Sequence, residues 1–195
     1  MAPFGSPLMV RITGMHDVLS GGLIRSENFE PAEAYPELPE LAANWRTIRD
    51  EALLSIAAMM TITDSRAEAG EWKILPLMVQ DEDRCVVSDE SCAAFRRFAP
   101  QTVKLAAGIP ALRAYAFSLV EPYGRIKAHR HRNPFVSASL CLQGGGHSEI
   151  VVDGDRREFH DGEIVIFDYR RLHEVVNHGD KPRIALIVAL EKMVR

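Results

Sequence analysis

Cysteine is scarce in this chain: three residues in 195, at Cys85, Cys92 and Cys141. The number is odd and no CxxC pair occurs, so neither a disulfide framework nor a zinc ribbon is indicated, and a reducing compartment fits best. Long apolar runs are also missing; none approaches the roughly 20 residues that a membrane span needs. The opening MAPFGSPLMVRITG lacks the charged, apolar and cleavage segments of a secretory signal in their usual order. The expectation is a cytoplasmic protein without a transmembrane segment. An excess of positive charge is lacking too. Lys and Arg number 23 against 27 Asp and Glu, a net charge of −4, which argues against a general nucleic-acid binder. No internal repeat or low-complexity segment stands out.

What the chain does contain is an ordinary globular composition, 47% hydrophobic and 26% charged, in a length that suits one domain with a sizeable core. Residues 1–39, rich in Gly, Pro and short polar pieces, read as an extended arm or loops. Residues 40–195 read as a single domain. Leu41, Trp45, Ile48, Ala52 and Ile56 fall at helical spacing, which predicts a helix over 40–60. EWKILPLMVQ (71–80) reads as a strand made irregular or placed at an edge by Pro76. Ser88 is a candidate N-cap, Pro100 a helix stop, and Gly108 closes a further short helix. From residue 111 short apolar or alternating runs are separated by turn signals every 8–12 residues or so, the pattern of a sandwich or small barrel. The predicted architecture is mainly β: a helical layer, 40–110, packed on a β core, 111–193.

Six of the seven histidines lie between residues 129 and 178. His129 and His131 sit in GRIKAHRHRNPF, where four of the eight residues from Arg125 to Arg132 are Lys or Arg. In a regular strand the odd positions, ending in His129 and His131, share one face, while Ile126, Ala128, Arg130 and Arg132 look away. Two imidazoles on one face bind a cation when a third group arrives from another strand, and His173 is the best candidate. Neutral imidazole suits Fe, Zn, Cu or Ni, and two histidines with a carboxylate mark non-haem Fe(II) oxygenases. Here His131 stands where that carboxylate might be. The residues alone leave three readings open: a metal site, an anion-binding strip whose partner is a small anion, or a solvated basic strand. His147, His160 and His178 read as exposed turn histidines. Gly162, Asp168, His173 and Asn177 follow the spacing of the second cupin motif, with Asp168 and Arg170 in place of its proline and second glycine. Arg183, ten residues beyond His173, is placed either to grip a carboxylate at a barrel mouth or to sit exposed at a strand end.

Three stretches carry a family resemblance: NWRTIRDE (44–51), FSLVEPYGRIKAHRHRNPF (117–135) and DGEIVIFDYRRLHEVVNHGDKPRIALIVAL (161–190). Over roughly residues 40–191 the chain resembles the aspartyl/asparaginyl β-hydroxylases, Fe(II)- and 2-oxoglutarate-dependent oxygenases with a double-stranded β-helix (jelly-roll, cupin-like) core. The resemblance implies that His129 and His173 are iron ligands, with His131 a candidate third. It implies that Arg183 and Ser118 hold the distal carboxylate of 2-oxoglutarate. The family strand reads L-R-x-H-L-G-L, and its Arg and His help hold that co-substrate. Here Ser137 and Ser139 stand at those positions, so Ser139 is the remaining cofactor-side candidate on that strand. Tyr123 interrupts the usual Pro-Gly turn.

The function so implied is hydroxylation of a C–H bond with 2-oxoglutarate and O2, the substrate an amino acid, a peptidyl residue or another carboxylate-bearing molecule. The alternatives are a cupin-like three-histidine metalloenzyme that does not use 2-oxoglutarate, and a non-catalytic binding module on the same barrel.

Overall fold

The computed structural model describes residues 28–63, 65–79, 87–158 and 160–192; Cys85 and most of the expected N-terminal arm lie outside them. Among the described residues the first α-helices are α1 (Leu38–Ala43) and α2 (Trp45–Leu54), followed by short strands β1 (Met60–Thr61) and β2 (Ala67–Glu68) and the longer β3 (Trp72–Met78). Helices α3 (Asp89–Phe95) and α4 (Pro100–Ala106) follow. The remainder is strands: β4 (Leu112–Val120), β5 (Arg125–His129), β6 (Phe135–Gln143), β7 (Ser148–Val152), β8 (Asp155–Glu158), β9 (Ile164–Asp168), β10 (His173–Asn177) and β11 (Arg183–Glu191).

The strands form two antiparallel sheets, ordered β1-β3-β4-β11-β6-β9 and β2-β5-β10-β7-β8. Along the chain β4, β6, β9 and β11 fall in the first sheet and β5, β7, β8 and β10 in the second. This winding is a double-stranded β-helix, the jelly roll expected from the turn spacing. The larger sheet has two apolar faces. On β11, Ile184, Leu186, Val188 and Leu190 join a core with Ile48 and Ala52 of α2 and Tyr115, Phe117 and Leu119 of β4. The alternate residues face the barrel interior, where Val120, Cys141, Val165 and Phe167 meet Ile126, Ile150, Val152 and Val175 of the smaller sheet. Tyr35, ahead of α1, and Leu38, its first residue, are also buried in the helix-side core.

Three local expectations are refined. The helix predicted over 40–60 is broken at Asn44, whose side chain donates to the Glu40 carbonyl (2.8 Å), a local bond that competes with the helix ladder. Pro100 opens α4 at its first turn instead of only stopping the helix before it, where a missing N–H costs nothing. With Ala99 at the cap, the Glu51 carboxylate of α2 caps α4, accepting from Gln101 N (2.8 Å), Thr102 N (2.9 Å) and Thr102 Oγ1 (2.7 Å). Ser88 caps α3 as expected, accepting from Ser91 N at 3.2 Å. Pro76 coincides with a register irregularity between β3 and β4, beyond the end of β1, where a missing donor is tolerated. Among the described residues, no helix is long and apolar enough to cross a membrane.

Candidate metal centre

His129 ends β5 and His173 begins β10, and the two are directly opposed in the antiparallel ladder. The same ladder pairs Ile126 with Val175, so two residues of β5, Lys127 and Ala128, span the place of Glu174 alone. This bulge corrects the alternation read from the sequence. Ile126 does not look away: it is buried in the barrel interior and shares that side with His129, while Lys127 and Ala128 are both exposed. A bulge adds one residue to one strand and re-aims the side chains that follow.

The bulge and the strand start bring three imidazoles together. Ring centroids are 4.3 Å apart for His129 and His173, 5.2 Å for His129 and His131, and 5.6 Å for His131 and His173. One ligand atom of each lies within 4.8 Å of the others. His129 Nδ1 contacts the Lys127 carbonyl and His173 Nδ1 the Arg171 carbonyl, both at 2.8 Å. A carbonyl only accepts, so each Nδ1 carries the hydrogen, and in the neutral ring each Nε2 keeps its lone pair. Fixing a ligand's outer nitrogen in this way sets its tautomer and orientation. His131 is held differently: its ring stacks on Tyr169 (3.7 Å, 9°), and its backbone N–H donates to the Tyr169 carbonyl (3.1 Å).

His173 is 4% exposed. Burial, reinforced by the neighbouring His129, pulls its pKa down to about 3, so it is neutral, as a ligand must be, throughout the physiological range. Phe167 (4.9 Å between centroids) and Tyr169 (5.6 Å) pack beside it. The donor set fits a metal that accepts imidazole.

Behind the histidines, Arg183 begins β11 and is 1% exposed, so it is not an exposed strand-end residue. Its guanidinium donates to Ser139 Oγ at 3.3 Å. Burial pulls its pKa down to about 10, partly offset by Cys141, and a buried cation of this kind favours a carboxylate beside it. Ser118 and Ser137 are buried on the same inner face, but the Ser118 hydroxyl accepts from Trp72 Nε1 (3.1 Å). The expected set thus divides: His129, His131 and His173 at the mouth, Arg183 with Ser139 deeper in, and Ser118 coupled to Trp72.

Two other expectations sort out by contact. Arg125 pairs with Glu174 (2.5 Å), and both it and Lys127 lie 3.7 Å from Glu68, so this part of the basic strip is a strand edge laced by ion pairs. Arg130 instead lines a hollow of about 380 Å³ with Asp153, Asp168, Arg170, Arg171 and Leu172. His147, His160 and His178 are exposed, as expected. Phe167 stands in the FD of the second family block, whereas Trp72 and Tyr169 were not singled out by any motif. Tyr169 was accessible to inference as an aromatic four residues before a candidate ligand.

Comparison with known proteins follows the geometry. The family model described as aspartyl/asparaginyl beta-hydroxylase matches residues 42–193. Among solved structures, a prolyl-4-hydroxylase from Pseudomonas putida is similar at 19% identity and TM-score 0.48, over 78% of this chain and 88% of that one. A predicted oxalate decarboxylase from Thermotoga maritima is similar at 16% identity and TM-score 0.46, over 69% and 92%. A cupin barrel protein from Salinispora arenicola has 26% identity and TM-score 0.34, over 40% and 62%. No curated protein matches the chain.

Proposed function

Because the chain belongs to the aspartyl/asparaginyl β-hydroxylase family, we propose that it is an Fe(II)- and 2-oxoglutarate-dependent oxygenase. Its substrate is an amino acid, a peptidyl residue or another carboxylate-bearing molecule. The observation that carries the reading is the pairing, in one barrel, of two histidines whose Nδ1–H groups are fixed by carbonyls with a buried arginine behind them.

His129 and His173 hold the iron through Nε2, with His131 beside them. Bound there, iron supplies the coupled oxidation: one oxygen atom of O2 enters the substrate C–H bond, and the other enters succinate as 2-oxoglutarate loses CO2. The chain's part is positioning. Arg183 and Ser139 hold the far carboxylate of 2-oxoglutarate in the barrel interior, and the charged guanidinium gives a fork that suits it. Phe167 and Tyr169 wall the histidines on the β9 side and limit water there. Anaerobic loading with Fe(II), followed by 2-oxoglutarate and O2, should give succinate, and His129→Ala, His173→Ala and Arg183→Met should each abolish it. No 2-oxoglutarate binding, and no succinate across a panel of amino acids and peptides, would sink the reading.

A second reading is favoured by one observation, the presence of His131 within the same ligand-atom cluster: a three-histidine metalloenzyme that does not use 2-oxoglutarate. Metal retention separates the two. On the oxygenase reading, His131→Ala weakens retention by about tenfold, a supporting-shell effect, while His129→Ala and His173→Ala eliminate it. Loss in His131→Ala equal to that in His129→Ala would favour the second reading.

A further inference from the structure

In the basic strip, Arg125 and Lys127 are matched by Glu174 and Glu68. Arg130 is not: among the described residues it takes part in no ion pair and no hydrogen bond. It lines the open hollow of about 380 Å³, a volume at the small end of ligand sites, which run from roughly 300 to 1,000 Å³. The other two arginines of the hollow are neutralised. Arg170 forks onto Asp168 through Nε (3.1 Å) and Nη2 (2.8 Å), and Arg171 Nη1 reaches Asp153 (2.8 Å). Three arginines against two aspartates leave one positive charge, that of Arg130. Leu172, 39% exposed, adds an apolar surface. The hollow adjoins the histidine cluster on every side. Arg130 joins His129 to His131, and Leu172 precedes His173. Asp168 and Arg170 flank Tyr169, whose ring stacks on His131. The Arg171 carbonyl holds His173 Nδ1, and Asp153 N donates to the Leu172 carbonyl (2.8 Å).

We infer that this hollow is the subsite for a carboxylate of the substrate, with Arg130 as the specificity-determining residue. The inference rests on the oxygenase reading and deepens it: it says which group of the substrate is recognised outside the barrel, and by which side chain. A guanidinium whose N–H fork is unspent pairs a carboxylate bidentately. One uncompensated charge suits a single carboxylate and not a polyanion, and Leu172 offers contact to an aliphatic part of the same molecule. Arg170 and Arg171 are committed to their aspartates and shape the rim without competing for the acid. Each histidine is one residue along the chain from a lining residue, about 3.8 Å between Cα atoms. An acid held by its carboxylate at Arg130 therefore keeps its carbon chain beside the cluster.

The test titrates the full chain at low ionic strength, followed by NMR, with three probes. N-acetylleucine carries a main-chain carboxylate, N-acetylisoglutamine a side-chain carboxylate, and N-acetylleucinamide none. Wild type should bind at least one of the acids about fivefold more tightly than the amide, the upper range for an ion pair open to solvent. Which acid is preferred tells a main-chain from a side-chain carboxylate. Arg130→Gln should bind that acid no better than the amide, with amide affinity unchanged, and Arg130→Lys should keep part of the preference. Arg132→Gln, at an exposed residue outside the hollow's lining, should keep all of it. Absence of acid binding in the wild type, a preference that survives Arg130→Gln, a parallel loss of acid and amide, or an equal loss in Arg132→Gln would overturn the inference. Titration of the Fe(II)-loaded wild type with 2-oxoglutarate tests the oxygenase reading separately. An Arg130-dependent preference in a chain that binds no 2-oxoglutarate would sink that reading and leave a carboxylate subsite standing.

Discussion

At the residue scale the site rests on protonation states set by burial. His173 is held neutral, its pKa down at about 3 against an ordinary 6.5. A group with a depressed folded-state value contributes stability above the unfolded value and loses it as pH falls toward the folded one. The metal-free protein should therefore lose stability from about pH 6.5 downward, in part through His173. His173→Gln, which cannot take the proton, should show a flatter melting temperature between roughly pH 6.5 and pH 4; an unchanged slope would contradict the assignment. Cys141 gives the opposite shift: burial pushes its thiol up to about 12. It should resist iodoacetamide in the native protein at about pH 8 and react after unfolding, as read by peptide mass spectrometry. His129, His173 and Arg183 were legible because each sits in a motif with fixed spacing. Trp72 was not, because its place depends on neighbours distant in sequence. Trp72, for example, meets Ser118, 46 positions away.

At the scale of elements, the decisive feature is the bulge in β5. The sequence carries no Gly or Pro between Arg125 and His129 to announce it, so regular alternation is the natural reading of that stretch. The extra residue is visible only once Ile126 and His129 are seen opposite Val175 and His173. The turn into β9 was legible: Gly162 has φ +86, a conformation that glycine adopts without strain. A Cβ there would also lie 2.8 Å from Trp45 Cδ1. Gly162→Ala should therefore destabilise the fold by about 1–3 kcal/mol, the cost of strain plus displacement of Trp45. That corresponds to a fall in melting temperature of about 2–4 °C per kcal/mol for a chain of this size; no measurable fall would contradict it. Asn177 serves the same end of the barrel. Its side-chain amide donates to the carbonyls of Glu121 (3.0 Å) and Lys181 (2.8 Å), and its Oδ1 accepts from Gly179 N (3.1 Å). These bonds tie the β10–β11 turn to the end of β4 and so fix where Arg183 enters the barrel.

For the whole molecule, turn spacing and alternation made the β class and the jelly roll legible, and the family motifs gave the order along the chain of the histidines that the fold brings together. Pairing was not legible. That β11 lies between β4 and β6, which sets Arg183 inside the barrel with Ser139, follows from long-range packing of two apolar faces. The central claim concerns the whole barrel: histidines at the mouth and arginine within bind one co-substrate between them. Anaerobic titration of 2-oxoglutarate into the Fe(II)-loaded protein tests this most directly. The reading predicts saturable binding that requires iron and is lost in both His173→Ala and Arg183→Met. Absence of binding, or binding that survives removal of the iron and of Arg183, would contradict it.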